Sequence, residues 1–154
     1  MNLPNSSYYL LAIALLFTAC TDSDEPNSVY QRTDLPFTIQ KVGLGSTEQE
    51  LLENLGDPIS RSKQPPQFGE LETGYDYHGL YIHVTDGVIF VFSLTDGPFR
   101  YDNGIAIGMT KAEASQILGM SFTVEYVCLE LGVSDCFVNL EFTKDKLTKV
   151  FQAC

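Results

Sequence analysis

Cysteine and histidine are the side chains here best suited to chemistry, and both are few. The 154 residues hold four cysteines and two histidines. Cys128, Cys136 and Cys154 lie together near the C-terminus, while Cys20 stands apart at the end of an apolar run. In an oxidising compartment the three C-terminal sulfurs would form one disulfide and leave one over, free or intermolecular. Cys128 and Cys136 flank a predicted turn at 132–135, and a staple across that hairpin is the preferred pairing. Cys136 and Cys154 also fit. A three-residue loop at 144–146 sets 143 against 147, and the same register sets Cys136 opposite Cys154. With no CxxC pair or ligand-spaced histidine, no metal site is expected. His78 at a turn and His83 in a strand read as polar surface residues rather than as a pH-sensitive pair or metal ligands. There is no GxSxG elbow, P-loop or HExxH, and no carboxylate pair of the glycosidase kind. The expectation is a non-enzyme with no catalytic residue, no cofactor and no small-molecule substrate.

Aromatic residues are the stronger lead. Tyr75, Tyr77, Tyr81, Phe90, Phe92, Phe99 and Tyr101 crowd one stretch. Alternating strand positions must bury much of it. Tyrosines near Asp76, Asp86 and Asp102 would also make a rigid, amphipathic binding surface. Tyr75, Tyr77 and Tyr81, with Asp86, are therefore the protein-binding candidates.

These residues must be positioned by something, and one stretch occurs twice. Residues 45–56 return without a gap as 108–119, an offset of 63. Thr47 with Glu50, and Thr110 with Glu113, have capping-box spacing. Leu51, Leu52 and Leu55 share one helix face, as do Ala114, Ile117 and Leu118. Gly56 and Gly119 sit where a left-handed C-cap belongs, and Pro58 bars continuation of the first helix. Helices this short are marginal alone, so each must lean on a sheet.

The rest of the chain reads as strands and turns. Residues 37–42 alternate as a short lead-in strand or coil, and 57–73, with three prolines, read as a loop. Strands at 74–77, 80–84 and 88–94 are joined by turns at His78-Gly79 and Asp86-Gly87, the latter a good hairpin signal. Later strands are expected at 122–131, 137–143 and 147–152. The fold class read from this pattern is α+β: two tandem repeats, 37–100 and 101–154, each a short helix on its own antiparallel meander of three or more strands.

The formal net charge of −11 argues against nucleic acid or an anionic surface as partner. Residues 1–19 carry no charged side chain, and 8–19 form an apolar run too short to span a bilayer but suited to a signal peptide. The run ends Leu16-Phe17-Thr18-Ala19-Cys20, which resembles the lipobox of bacterial lipoproteins. Phe17 stands where leucine is usual, and the leader has no Lys or Arg. The resemblance implies that Cys20 becomes the lipidated first residue of the mature chain. Thr21, rather than Asp, follows it, which implies the outer membrane, facing the periplasm, in a host that has one. Residues 20–36 read as a flexible acidic tether with a reach of about 22 Å.

The Ile107-Gly108-Met109-Thr110 helix start, the Leu118-Gly119 stop and their counterparts at 45–56 resemble the β-lactamase-inhibitor-protein-like fold. The same unit occurs in SmpA/OmlA (BamE) outer-membrane lipoproteins. The resemblance implies a scaffold that grips another protein of the envelope, touching the membrane only through its lipid. Outer-membrane assembly is one role it implies. An anchored inhibitor or immunity protein against a secreted enzyme or toxin is the alternative.

Overall fold

The computed structural model describes residues 28–31, 36–64, 72–132 and 135–154. The expected signal peptide, Cys20 and most of the expected tether lie outside the described residues. Strands β1 (Ser28–Gln31), β2 (Ser60–Gln64), β3 (Glu72–Tyr77), β4 (Leu80–Thr85) and β5 (Val88–Leu94) precede β6 (Tyr126–Glu130), β7 (Phe137–Thr143) and β8 (Lys146–Ala153). Helix α1 (Glu48–Leu55) comes before β2, and α2 (Lys111–Leu118) before β6.

All eight strands among the described residues join one sheet in the order β1-β6-β7-β8-β5-β4-β3-β2. This overturns the tandem-repeat reading of the fold: there are not two helix-on-meander units, each with its own sheet. The cause is the seam between β5 and β8, which pair antiparallel from Leu94↔Val150 to Val91↔Ala153. Apolar Phe92, Leu94 and Val150 lie at this seam and are fully buried. Two separate sheets would have exposed these side chains and left two more open edges. One continuous apolar cluster runs from Phe37 through Leu51, Ile82 and Phe92 to Leu118, Leu140 and Val150. Both helices pack on that face.

What recurs is local. Thr47 and Thr110 cap their helices, with reciprocal Glu50 and Glu113 capping boxes. Each helix start also docks on a hairpin tip. Gly45 and Ser46 exchange backbone bonds with Ile89, and Gly108 and Met109 with Leu147. Both hairpins turn on two residues of positive φ, Asp86-Gly87 and Lys144-Asp145, a conformation that matches strand twist. The expected three-residue loop at 144–146 is therefore one residue shorter, and Lys146 begins β8. Gly119 takes the left-handed cap, whereas Gly56 has positive φ with an extended ψ.

Three further expectations change. Within the presumed tether, residues 28–31 form β1, parallel to β6, and the Tyr30 hydroxyl donates to the Ser121 carbonyl at 3.0 Å. The presumed loop 57–73 contains β2 and the start of β3, because Ser60 to Gln64 pair antiparallel with β3. Residues 39–42 form a tight turn rather than a strand, bridged Ile39↔Val42 with positive φ at Gln40 and Lys41.

Candidate functional site

Strand alternation divides the predicted tyrosines. Tyr75 and Tyr77 face the helices and are 1% and 4% exposed. The Tyr75 hydroxyl donates to the Glu48 carboxylate at the start of α1. The Tyr77 hydroxyl donates to the Gly56 carbonyl at its end, at 3.0 Å. Burial, and then the hydrogen bond to Glu48, push the Tyr75 hydroxyl up to about 12. Burial raises Tyr77 as well. These two rings bolt both ends of α1 to β3, so as partner-binding surface they are corrected. Their i, i+2 spacing on β3 is what lets them reach opposite ends of so short a helix.

Tyr81 points the other way. It is 36% exposed and belongs to the sheet face that neither helix covers. A Cβ at Gly74 would come within 2.5 Å of the Tyr81 hydroxyl and 2.8 Å of Ser62 Oγ. Glycine therefore leaves room for that ring between β2 and β4. Asp86 is the first residue of the β4–β5 turn at φ 48, where its short polar side chain tolerates a left-handed backbone.

The same face carries His83 and Glu72, a pairing the sequence reading missed. His83 Nε2 lies 3.2 Å from Glu72 Oε2, although the atoms are not aligned as a hydrogen bond. Glu72 is only 8% exposed. The signal was the hairpin register, which pairs Gly74 with His83 and sets Glu72 on its diagonal. Farther along this face, the Phe137 and Phe151 rings lie tilted against each other with centroids 6.0 Å apart, and Lys149 lies over Phe151 while pairing with Glu141 at 3.1 Å. Asn139 is buried among them, its Oδ1 without a hydrogen-bond partner. His78 is exposed in the β3–β4 turn, which packs on Asp96-Gly97.

The cysteines depart from the preferred pairing. Cys136 is bonded to Cys154 with the Cα atoms 4.0 Å apart. The β6–β7 register sets Cys128 opposite Asn139, while Cys136 meets Leu131 through the Leu131 N–H. Cys128 and Cys136 are thus three positions out of step. The Cys136–Cys154 register follows from the two-residue turn plus a bulge at Glu141/Phe142, which together shift the strands as a three-residue loop would. Among the described residues no cysteine is free: Cys128, fully buried in β6, is disulfide-bonded as well. Among the described residues no group of three metal-ligating side chains gathers, and no helix is long and apolar enough to cross a membrane.

No family model matches the chain, and no curated protein does. Among solved structures the chain is similar to an extracellular protein containing a SCP domain from Bacillus anthracis str. Ames, at 13% identity and a TM-score of 0.46. The match covers 71% of this chain and 43% of that protein's length.

Proposed function

We propose that the chain is an exported bacterial lipoprotein, anchored through Cys20, that acts as a non-catalytic protein-binding module in the cell envelope. The observation that carries this reading is the Cys136–Cys154 disulfide, a bond of oxidising compartments. The apolar leader ending at Cys20 supports the same address. The sheet face that neither helix covers supports binding, because it presents Tyr81, Phe137 and Phe151 beside Lys149 and Glu141. In a host with two membranes, Thr21 after Cys20 favours the outer one, facing the periplasm, and assembly of outer-membrane proteins is the role proposed there.

Intact-mass spectrometry of the membrane fraction tests the anchor. A mature chain starting at Cys20 and carrying acyl mass is expected, and a soluble, lipid-free chain would overturn it. In-cell crosslinking tests the binding role. Capture of a secreted enzyme or toxin that loses activity on binding would favour the inhibitor or immunity reading over envelope assembly.

A further inference from the structure

We propose that the outer edge of β2 is a strand-docking edge whose occupant is an extended, acidic segment of another protein. The inference rests on the binding-module reading and names its site. Among the described residues the sheet ends in two edge strands, β1, paired to β6, and β2, paired on its inner side to β3. They differ in charge: β1 carries no charged side chain, whereas β2 carries Arg61 and Lys63. Residues 60–63 there are exposed. Ile59, just before them, is 58% exposed, more than Tyr81 or Val88. An edge strand presents backbone donors and acceptors that an added strand can satisfy.

Charge selects the occupant. Arg61 and Lys63 lie two residues apart and so share one side of β2, within a chain of net charge −11. Arg61 is held over the Tyr75 ring at 5.5 Å. Its ion pair with Asp57 is 3.6 Å long, and the Asp57 side chain is 98% exposed. Such a surface pair contributes little and exchanges readily for a carboxylate of a partner. A second copy of this chain is a poor occupant. Pairing two β2 strands about a twofold sets Arg61 and Lys63 against the same basic pair, and like charges across a strand pair are destabilising. Carboxylates at alternate positions of an incoming strand would meet both cations, and an apolar residue would cover Ile59. The competing role for these cations is to guard the edge against aggregation.

The test titrates a blocked peptide, Thr-Glu-Val-Glu-Thr, into the isotope-labelled full chain in detergent, with Thr-Lys-Val-Lys-Thr as control. Saturable amide shifts are expected at 59–63 and absent from β1 and β6, with the lysine peptide at least tenfold weaker. The double variant Arg61→Glu with Lys63→Glu should weaken the acidic peptide at least tenfold and reverse the preference, while core signals from Tyr101 and Ile105 stay in place. No shift at β2 with millimolar peptide, or equal binding of both peptides, would overturn the proposal. So would peptide-independent self-association of an Arg61→Gln, Lys63→Gln chain through β2, which assigns the cations to guarding alone. Crosslinking from Tyr81 that captures a partner, where crosslinking from Ile59 captures none, would sink the edge and leave the binding module standing.

Discussion

Thr38 and Asp102 hold each other by two hydrogen bonds. Thr38 Oγ1 donates to the Asp102 carboxylate at 2.6 Å, and the Asp102 N–H donates to the Thr38 carbonyl at 2.7 Å. The same carboxylate accepts the N–H groups of Gln40 and Lys41 at 3.0 and 2.8 Å. One exposed aspartate thus shapes the 38–41 turn and ties it to the loop beside Tyr101. Asp102→Ala should cost about 1–3 kcal/mol, the range for losing hydrogen bonds to a charged group. Asp102→Asn, which keeps one acceptor oxygen, should cost less. Urea unfolding checks both.

Acid should weaken the fold through three carboxylates. Hydrogen bonds from the Thr47 backbone and hydroxyl hold Glu50 below its ordinary 4.5, and those from Thr110 do the same for Glu113. At Asp102 burial opposes ionisation, but the bonds from Thr38, Lys41 and Gln40 outweigh it and the net direction is down from 3.8. Depressed carboxylates contribute stability that is present above their unfolded values and lost as pH falls through the folded ones. Melting temperature should therefore drop below about pH 4.5. Thr47→Ala and Thr110→Ala should each cost about 1 kcal/mol at neutral pH and flatten that acid limb.

At the alkaline end the sign reverses. The Tyr75 hydroxyl is raised from 10.0 to about 12, so its contribution is complete below pH 10 and is lost as pH rises from 10 through 12. Burial also raises Tyr101, whose hydroxyl accepts from Gln152 Nε2 at 2.9 Å. Ultraviolet titration should show a late tyrosine fraction carried by Tyr75 and Tyr101, and that fraction should appear together with unfolding. In Tyr75→Phe the late fraction should shrink, with a stability loss of about 1 kcal/mol for the bond to Glu48.

The Cys136–Cys154 bond closes an 18-residue separation. By the chain-entropy estimate its loss should cost about 3 kcal/mol. Cys136→Ser with Cys154→Ser, compared by denaturant unfolding, checks this. The loss should be concentrated where β7 meets β8, seen as faster amide exchange at Phe137 and Ala153.

Gly79 is a backbone contact, not a spacer. A Cβ there would lie 2.2 Å from the Asp96 carbonyl oxygen, at φ 72. Gly79→Ala should separate the β3–β4 turn from residues 95–97 and lower the melting temperature by several degrees, whereas Gly87→Ala, which meets no neighbour, should cost only the strain of its positive φ, about 1 kcal/mol.

What was legible in the sequence was local chemistry. Thr47, Glu50, Thr110 and Glu113 announce capped helices because a cap is built within four residues. Asp86-Gly87 announces a turn because its backbone needs are met by those two residues alone. Alternation showed that the 75–101 stretch must bury rings. It did not show which, since period two leaves either face eligible until a core exists. The tertiary structure made that choice: α1 lies over β3, so Tyr75 and Tyr77 went inside and Tyr81 stayed out. It also joined β5 to β8, merging two expected sheets into one, because partners 56 to 62 residues apart, from Leu94↔Val150 to Val91↔Ala153, leave no mark on local pattern. The cysteine pairing was decided the same way, by a β6–β7 register that sets Cys128 against Asn139 and by one bulge in β7.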